Sequence, residues 1–216
     1  MSTLYSIGQM NQLGDALEVE GFTPDEVTKL KQYSNLVGIK SILNGTAKIK
    51  PVSEDVTRII INETTIAVNL GTAPKFPFDG AKVEQHIGEG WVIVAKRADG
   101  LYVDGRKVIL YLSKRQKGDK GHGGHELREE LSGKPVLNAN LLDALLENLH
   151  LIPEDWKKDD NGNTSYIFFW ASIYRHSHGH LYVRYVYFRD GGWCSDCYWL
   201  DGDWHSSHPA ALLARN

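Results

Sequence analysis

A chain of 216 residues, 42% hydrophobic and 24% charged, is long enough for one large domain or two small ones and for a substantial core. Its formal net charge of −3 excludes a strongly basic nucleic-acid-binding chain and a long acidic tail. No apolar run approaches the ~18 residues of a membrane span, residues 1–7 lack the basic and apolar regions of a secretory signal, and two cysteines, Cys194 and Cys197, cannot build a disulfide framework; the expectation is a cytoplasmic protein with no membrane partner.

Met10, Leu13 and Leu17 recur at helical spacing, and Gly21 can close that helix in the left-handed conformation. Thr23-Pro24-Asp25-Glu26 follows as a capping box, with Thr23 and Glu26 bonding each other's backbone and Pro24 at the first helical position. Val27 and Leu30 give this second helix an apolar side. Ser34 can cap a third helix carrying Ile39, Ile42 and Leu43 and ending at Asn44-Gly45. Residues 1–50 are thus expected as a three-helix unit, with residues 48–53 as a linker.

The period then changes. Residues 58–68 are β-branched, with a break at Asn62-Glu63. After a loop over 71–80, strands are predicted at 83–87, 91–96, 101–104 and 107–113, separated by Gly88-Glu89-Gly90, Asp99-Gly100 and Asp104-Gly105. This makes a small antiparallel sheet within 51–124. Residues 114–124 are polar, Gly-rich loop. Helices are predicted at 125–132 and 138–149, the second with Leu141, Leu142, Leu145, Leu146 and Leu149 as a core stripe and Asn138 or Asn140 as cap.

Residues 166–174, 180–189 and 193–200 read as three aromatic strands of a meander. Alternation puts Tyr166, Phe168, Trp170 and Tyr174 on one face of the first, and Ile167, Phe169 and Ile173 on the other. Both faces are apolar, so that strand should be central. Pro209–Ala214 is expected as a final helical turn. The fold class is α+β: an N-terminal three-helix unit, a small antiparallel sheet, a helical segment and a C-terminal aromatic β-meander. The 125–216 region can merge with 51–124 into one domain.

Leu137-Asn138-Ala139-Asn140-Leu141-Leu142-Asp143, His150-Leu151-Ile152-Pro153-Glu154-Asp155-Trp156, Phe168-Phe169-Trp170 and Leu181-Tyr182-Val183-Arg184 stand in that order. With Met10–Leu17 and Gly21–Pro24 at the start, they resemble an uncharacterised family of bacterial hypothetical proteins, common in uncultivated ultra-small bacteria. The resemblance covers most of the chain. It implies no activity, cofactor or catalytic residue.

Three features could carry chemistry. Histidine and cysteine are dense: His122 and His125 with Glu126 beside them, His176, His178 and His180 around a predicted hairpin, then Cys194, Cys197, His205 and His208. Imidazole, thiolate and carboxylate are ligands of zinc and other transition metals, and Glu126 would be general base to a metal-activated water. Against this, Cys194 and Cys197 fall in a strand, where i and i+3 face opposite ways. The helical unit could be a helix-turn-helix, but its third helix offers few base-reading side chains. The aromatic row, with Trp170, Tyr174, Arg184, Trp193 and Trp199, could bury a protein partner or stack on a small ligand, or simply fill a core; nucleic acid is disfavoured by charge. The preferred function is a non-enzymatic binding or regulatory module using this aromatic sheet. The alternative is a transition-metal-dependent hydrolase using the His/Cys cluster.

Overall fold

A computed structural model describes residues 6–30, 39–40, 43–44, 58–117 and 121–215. The chain divides into two units, Met1–Ser53 and Glu54–Asn216.

In the first unit, α1 (Ile7–Val19) and α2 (Pro24–Leu30) form. Ser6 opens α1 through a capping box with Gln9. Gly21, at φ +79°, closes it: its N–H donates to Glu18 O and that of Phe22 to Leu17 O, the paired bonds of a left-handed helix end. The Thr23–Glu26 box is made in both directions, at 2.8 and 3.3 Å. No residue of either helix is buried, and Met10 and Leu13 are exposed. The third helix expected from Ser34 falls mostly outside the described residues.

The second unit is built on one ten-stranded sheet. Its strands are β1 (Arg58–Asn62), β2 (Thr65–Asn69), β3 (Lys82–His86), β4 (Trp91–Arg97), β5 (Gly100–Val103), β6 (Arg106–Tyr111), β8 (Ile167–Arg175), β9 (Leu181–Arg189), β10 (Gly192–Trp199) and β12 (Ala210–Leu213). A two-residue pair, β7 (His122–Gly123) with β11 (Asp203–Trp204), lies apart from it. The order is β1-β2-β4-β5-β6-β12-β8-β9-β10, and β3 pairs with the C-terminal half of β8.

β12 corrects two expectations. Pro209–Ala214 is not a helical turn: Ala210–Leu213 runs antiparallel to β6 and meets β8 in parallel at Phe168. It thereby fuses the middle strands and the aromatic meander, expected as separate sheets. Ala and Leu favour helix by at most about 0.7 kcal/mol per residue. Leaving buried backbone groups of β6 unpaired would cost more, and Ala210, Ala211 and Leu212 are buried.

Each sheet face carries a core. On one, α4 (Ala139–Leu146) and the following turns place Leu141, Leu142, Leu145, Leu151 and Trp156 against β2, β4, β5 and β8. Asn138 caps α4 and donates its amide to Leu70 O and Ile87 O, while the Asn140 amide donates to Asn69 O and Thr72 O. On the other face, α3 (Gly124–Leu131) brings Leu127 and Leu131 onto Phe168, Trp170, Ile173 and Val183, with Trp204 alongside.

β8 is central and buried from Ile167 to Tyr174, as its two apolar faces imply. Its alternation is broken, however. Between the pairs Phe168–Tyr185 and Ile173–Val183, residues 169–172 stand opposite Arg184 alone. This bulge moves Ile173 to the face of Phe168 and Trp170 and separates Tyr174 from them, correcting the expected faces. The freed backbone is satisfied elsewhere: Ala171 N–H donates to Leu137 O and Ala171 O accepts from Ile87 N–H.

Candidate histidine–arginine cleft

The N-terminus of α3 is held on the sheet by Gly124, whose N–H donates to Leu200 O at 3.0 Å. A Cβ at this position would lie 2.3 Å from Trp204 Nε1 and 2.4 Å from Leu200 O, so only glycine allows the approach. From this anchor, His125 and Arg128 project from α3 at i and i+3, neighbours on one helix face. Opposite stands the β8–β9 turn, closed by His176 N–H to His180 O at 2.9 Å and Gly179 N–H to His176 O at 2.8 Å, with Gly179 at φ +92°. Leu200 N–H donates to Leu181 O at 2.8 Å, which brings Asp201 beside that turn.

Together these segments surround an open cleft of about 590 Å³ lined by His125, Arg128, Arg175, His178, His180 and Asp201. Asp201 joins the two sides: His125 Nε2 lies 3.1 Å from its Oδ1 and His180 Nδ1 lies 2.9 Å from its Oδ2. The bonds from His180 first and His125 second hold the Asp201 carboxyl below its usual range. Each imidazole thus spends one nitrogen on Asp201 and keeps the other.

The two arginines differ. Arg175 is fully engaged, with Nε and Nη2 on the Glu84 carboxylate at 2.9 and 2.7 Å and Nη1 on Gly179 O at 2.9 Å. It braces the turn. Arg128 donates from Nη2 to the neutral amide oxygen of Gln85 at 3.1 Å; among the described residues no carboxylate lies within ion-pair contact of it, the nearby Glu84 carboxylate feeling its charge at longer range.

The remaining residues expected as metal ligands or catalyst lie elsewhere. His122 is buried, with Nδ1 3.2 Å from Glu126 Oε2 and Nε2 3.3 Å from Glu130 Oε2; the first contact is close without hydrogen-bond alignment. Glu126 is also ion-paired to Arg115 at 3.0 Å and lines neither wall of the cleft. Burial works against the Glu130 charge, but the bonds it accepts from Tyr111 Oη, Ser113 Oγ and His122 outweigh it and hold its carboxyl below the usual range. His176 packs on Phe78, Tyr182 and His178. His205 sits against Gly121, its carbonyl bonded to the Gln116 amide.

Cys194 pairs across to Tyr187 and Cys197 to Arg184, on opposite faces of β10. Both are free thiols, and burial pushes Cys197 up to about 11. The expected ligand set is therefore dispersed. Among the described residues no group of three or more His, Cys, Asp or Glu is arranged to hold a metal ion.

Three of the five residues expected as an aromatic contact surface, Trp170, Tyr174 and Arg184, are buried. Trp170 and Tyr174 are 2% and 0% exposed and belong to the core. Arg184 is buried and ion-paired to Asp143 of α4 through two bonds, 2.8 and 3.1 Å. Trp193 is half-buried against Phe188. Trp199 is exposed, and it lies edge-on to His180 at the cleft, 5.6 Å between centroids.

Two cleft residues escaped the sequence reading, Arg128 and Asp201. Asp201 reads there as half of an Asp-Gly turn, and nothing local marks its contact with two histidines. No helix among the described residues is long and apolar enough to cross a membrane. Comparison with protein-family models, with curated proteins and with solved structures finds no match to this chain.

Proposed function

We propose that the protein is a binding module whose receptor is the histidine–arginine cleft, and that its ligand carries a phosphate-type anion. One observation carries this: three histidines and Arg128, a cation with no carboxylate in ion-pair contact among the described residues, border one open cleft. A guanidinium and several imidazoles offer donors from different directions. A tetrahedral oxyanion has an oxygen for each of them, whereas a planar carboxylate does not. Trp199, exposed and edge-on to His180, is an aromatic of the C-terminal sheet that stands at this cleft.

The outer nitrogen of a neutral imidazole accepts a hydrogen bond; a protonated one donates. The imidazoles that face an oxyanion here are those of His125, His178 and His180. The other charged groups facing them are Asp201, Arg128, and Arg175 with its partner Glu84. Inorganic phosphate should bind this cleft at millimolar concentration or tighter. Calorimetric titration of the full chain checks this. Arg128→Gln should weaken binding about tenfold at pH 6, equivalent to about 1.4 kcal/mol. Undetectable binding at millimolar phosphate, or binding indifferent to Arg128→Gln, would overturn the proposal.

A further inference from the structure

We infer that the ligand is a phosphomonoester of the mononucleotide class, its phosphate at His125, His180 and Arg128 and its heterocycle seated beside Trp170. The inference rests on the anion-binding reading above and specifies what else the ligand carries. A second cavity, about 420 Å³, is lined in part by the same His125 and Arg128. The two spaces therefore meet at the proposed phosphate position.

The second cavity has a different character. Ile87, Leu131, Val136 and Trp170 supply apolar wall, and the Ser132 hydroxyl, Glu129 carboxylate and Lys134 ammonium supply hydrogen-bonding groups, the Gln85 amide being held by Arg128 and Trp170 O. Apolar wall with a few polar groups is the usual lining of a site for a compact organic ligand. A bare sugar phosphate would leave that wall without an apolar partner, and a long acyl chain would not use the polar groups. A heterocycle satisfies both, its faces on the wall and its edge on the polar groups.

Trp170 adds an independent observation. Its indole Nε1 is buried and has no hydrogen-bond partner. Native structures rarely leave a buried donor unmatched. That nitrogen is covered in the protein alone, so a ring nitrogen or carbonyl of the ligand meets it only when the indole turns toward the cavity.

The test titrates the full chain at pH 6 with inorganic phosphate, adenosine, and the 5′-monophosphates of adenosine, guanosine, cytidine and uridine. At least one monophosphate should bind tenfold or more tighter than phosphate. Ile87→Trp, which fills the second cavity from an exposed position, should abolish that advantage and leave phosphate affinity unchanged. Trp170→Phe, which keeps an aromatic ring but removes the N–H, should reduce the advantage several-fold. Equal affinity for phosphate and every monophosphate would overturn the nucleotide inference and leave the anion site standing. Adenosine binding as tightly as its monophosphate would overturn both, as would no binding by any probe.

Discussion

His208 is strongly altered by its surroundings. Burial, and then the neighbouring His205, depress its pKa to about 4, while its Nδ1 accepts the His205 N–H at 3.3 Å. Its ring packs among Tyr166, Phe168, Tyr198 and Trp204. Above pH ~6.5 the residue is neutral folded and unfolded, so it sets no pH dependence. Between about 6.5 and 4 only the unfolded chain takes the proton, and stability falls with pH, by on the order of 2 kcal/mol in all. Urea unfolding midpoints should therefore drop from pH 6.5 to 5 in the natural protein and drop less in His208→Phe. Parallel slopes would contradict the assignment. At this scale the sequence conveyed the histidine density but not the partners. His122, His176 and His205 are as prominent in the sequence as His125 and His180, yet they bond or pack elsewhere. Arg184 looks like a contact residue until Asp143, 41 positions earlier, is placed beside it.

Among the elements, those with local signals were legible. Reciprocal capping bonds announce α2, Asn138 announces α4, and Asn-Glu or Asp-Gly turns mark the hairpins. Those set by distant partners were not. β12 is a strand because β6 and β8 leave a gap that its backbone fills. The β8 bulge exists because Leu137 and Ile87 accept and donate to Ala171, and neither bond has a local sequence signal. α3 is placed by a single glycine, Gly124. Gly124→Ala forces a Cβ into Leu200 O and Trp204 Nε1, both backed by core, and should destabilise by about 2–4 kcal/mol. Because α3 carries His125 and Arg128, the substitution should also weaken phosphate binding. Denaturant unfolding and the phosphate titration read the two effects separately; unchanged stability would show that α3 is not held in this way.

For the molecule as a whole, the α+β class and most strand positions follow from hydrophobic period and turn chemistry, whereas the fusion of two expected sheets into one does not. That fusion matters for the site. β12 joins β6 to β8, β8 ends in Arg175 at the cleft, and α3 covers the face that β8 and β12 share. The cleft thus lies where α3, the β8–β9 turn and the segment after β10 meet, over a rigid sheet rather than on a free loop. Toward β1 the same face is exposed, with Ile59, Trp91 and Ile93 at its surface. The central claim is that the histidines at the cleft act together on an anion and the others do not. Imidazole NMR signals of the full chain, followed at pH 6 as inorganic phosphate is added, test it most directly. Anion binding in the cleft predicts that His125 and His180 shift together and saturate, that His122 and His205 hold still, and that Arg128→Gln suppresses the shift. No movement at His125 and His180, or equal movement at all histidines, would contradict it.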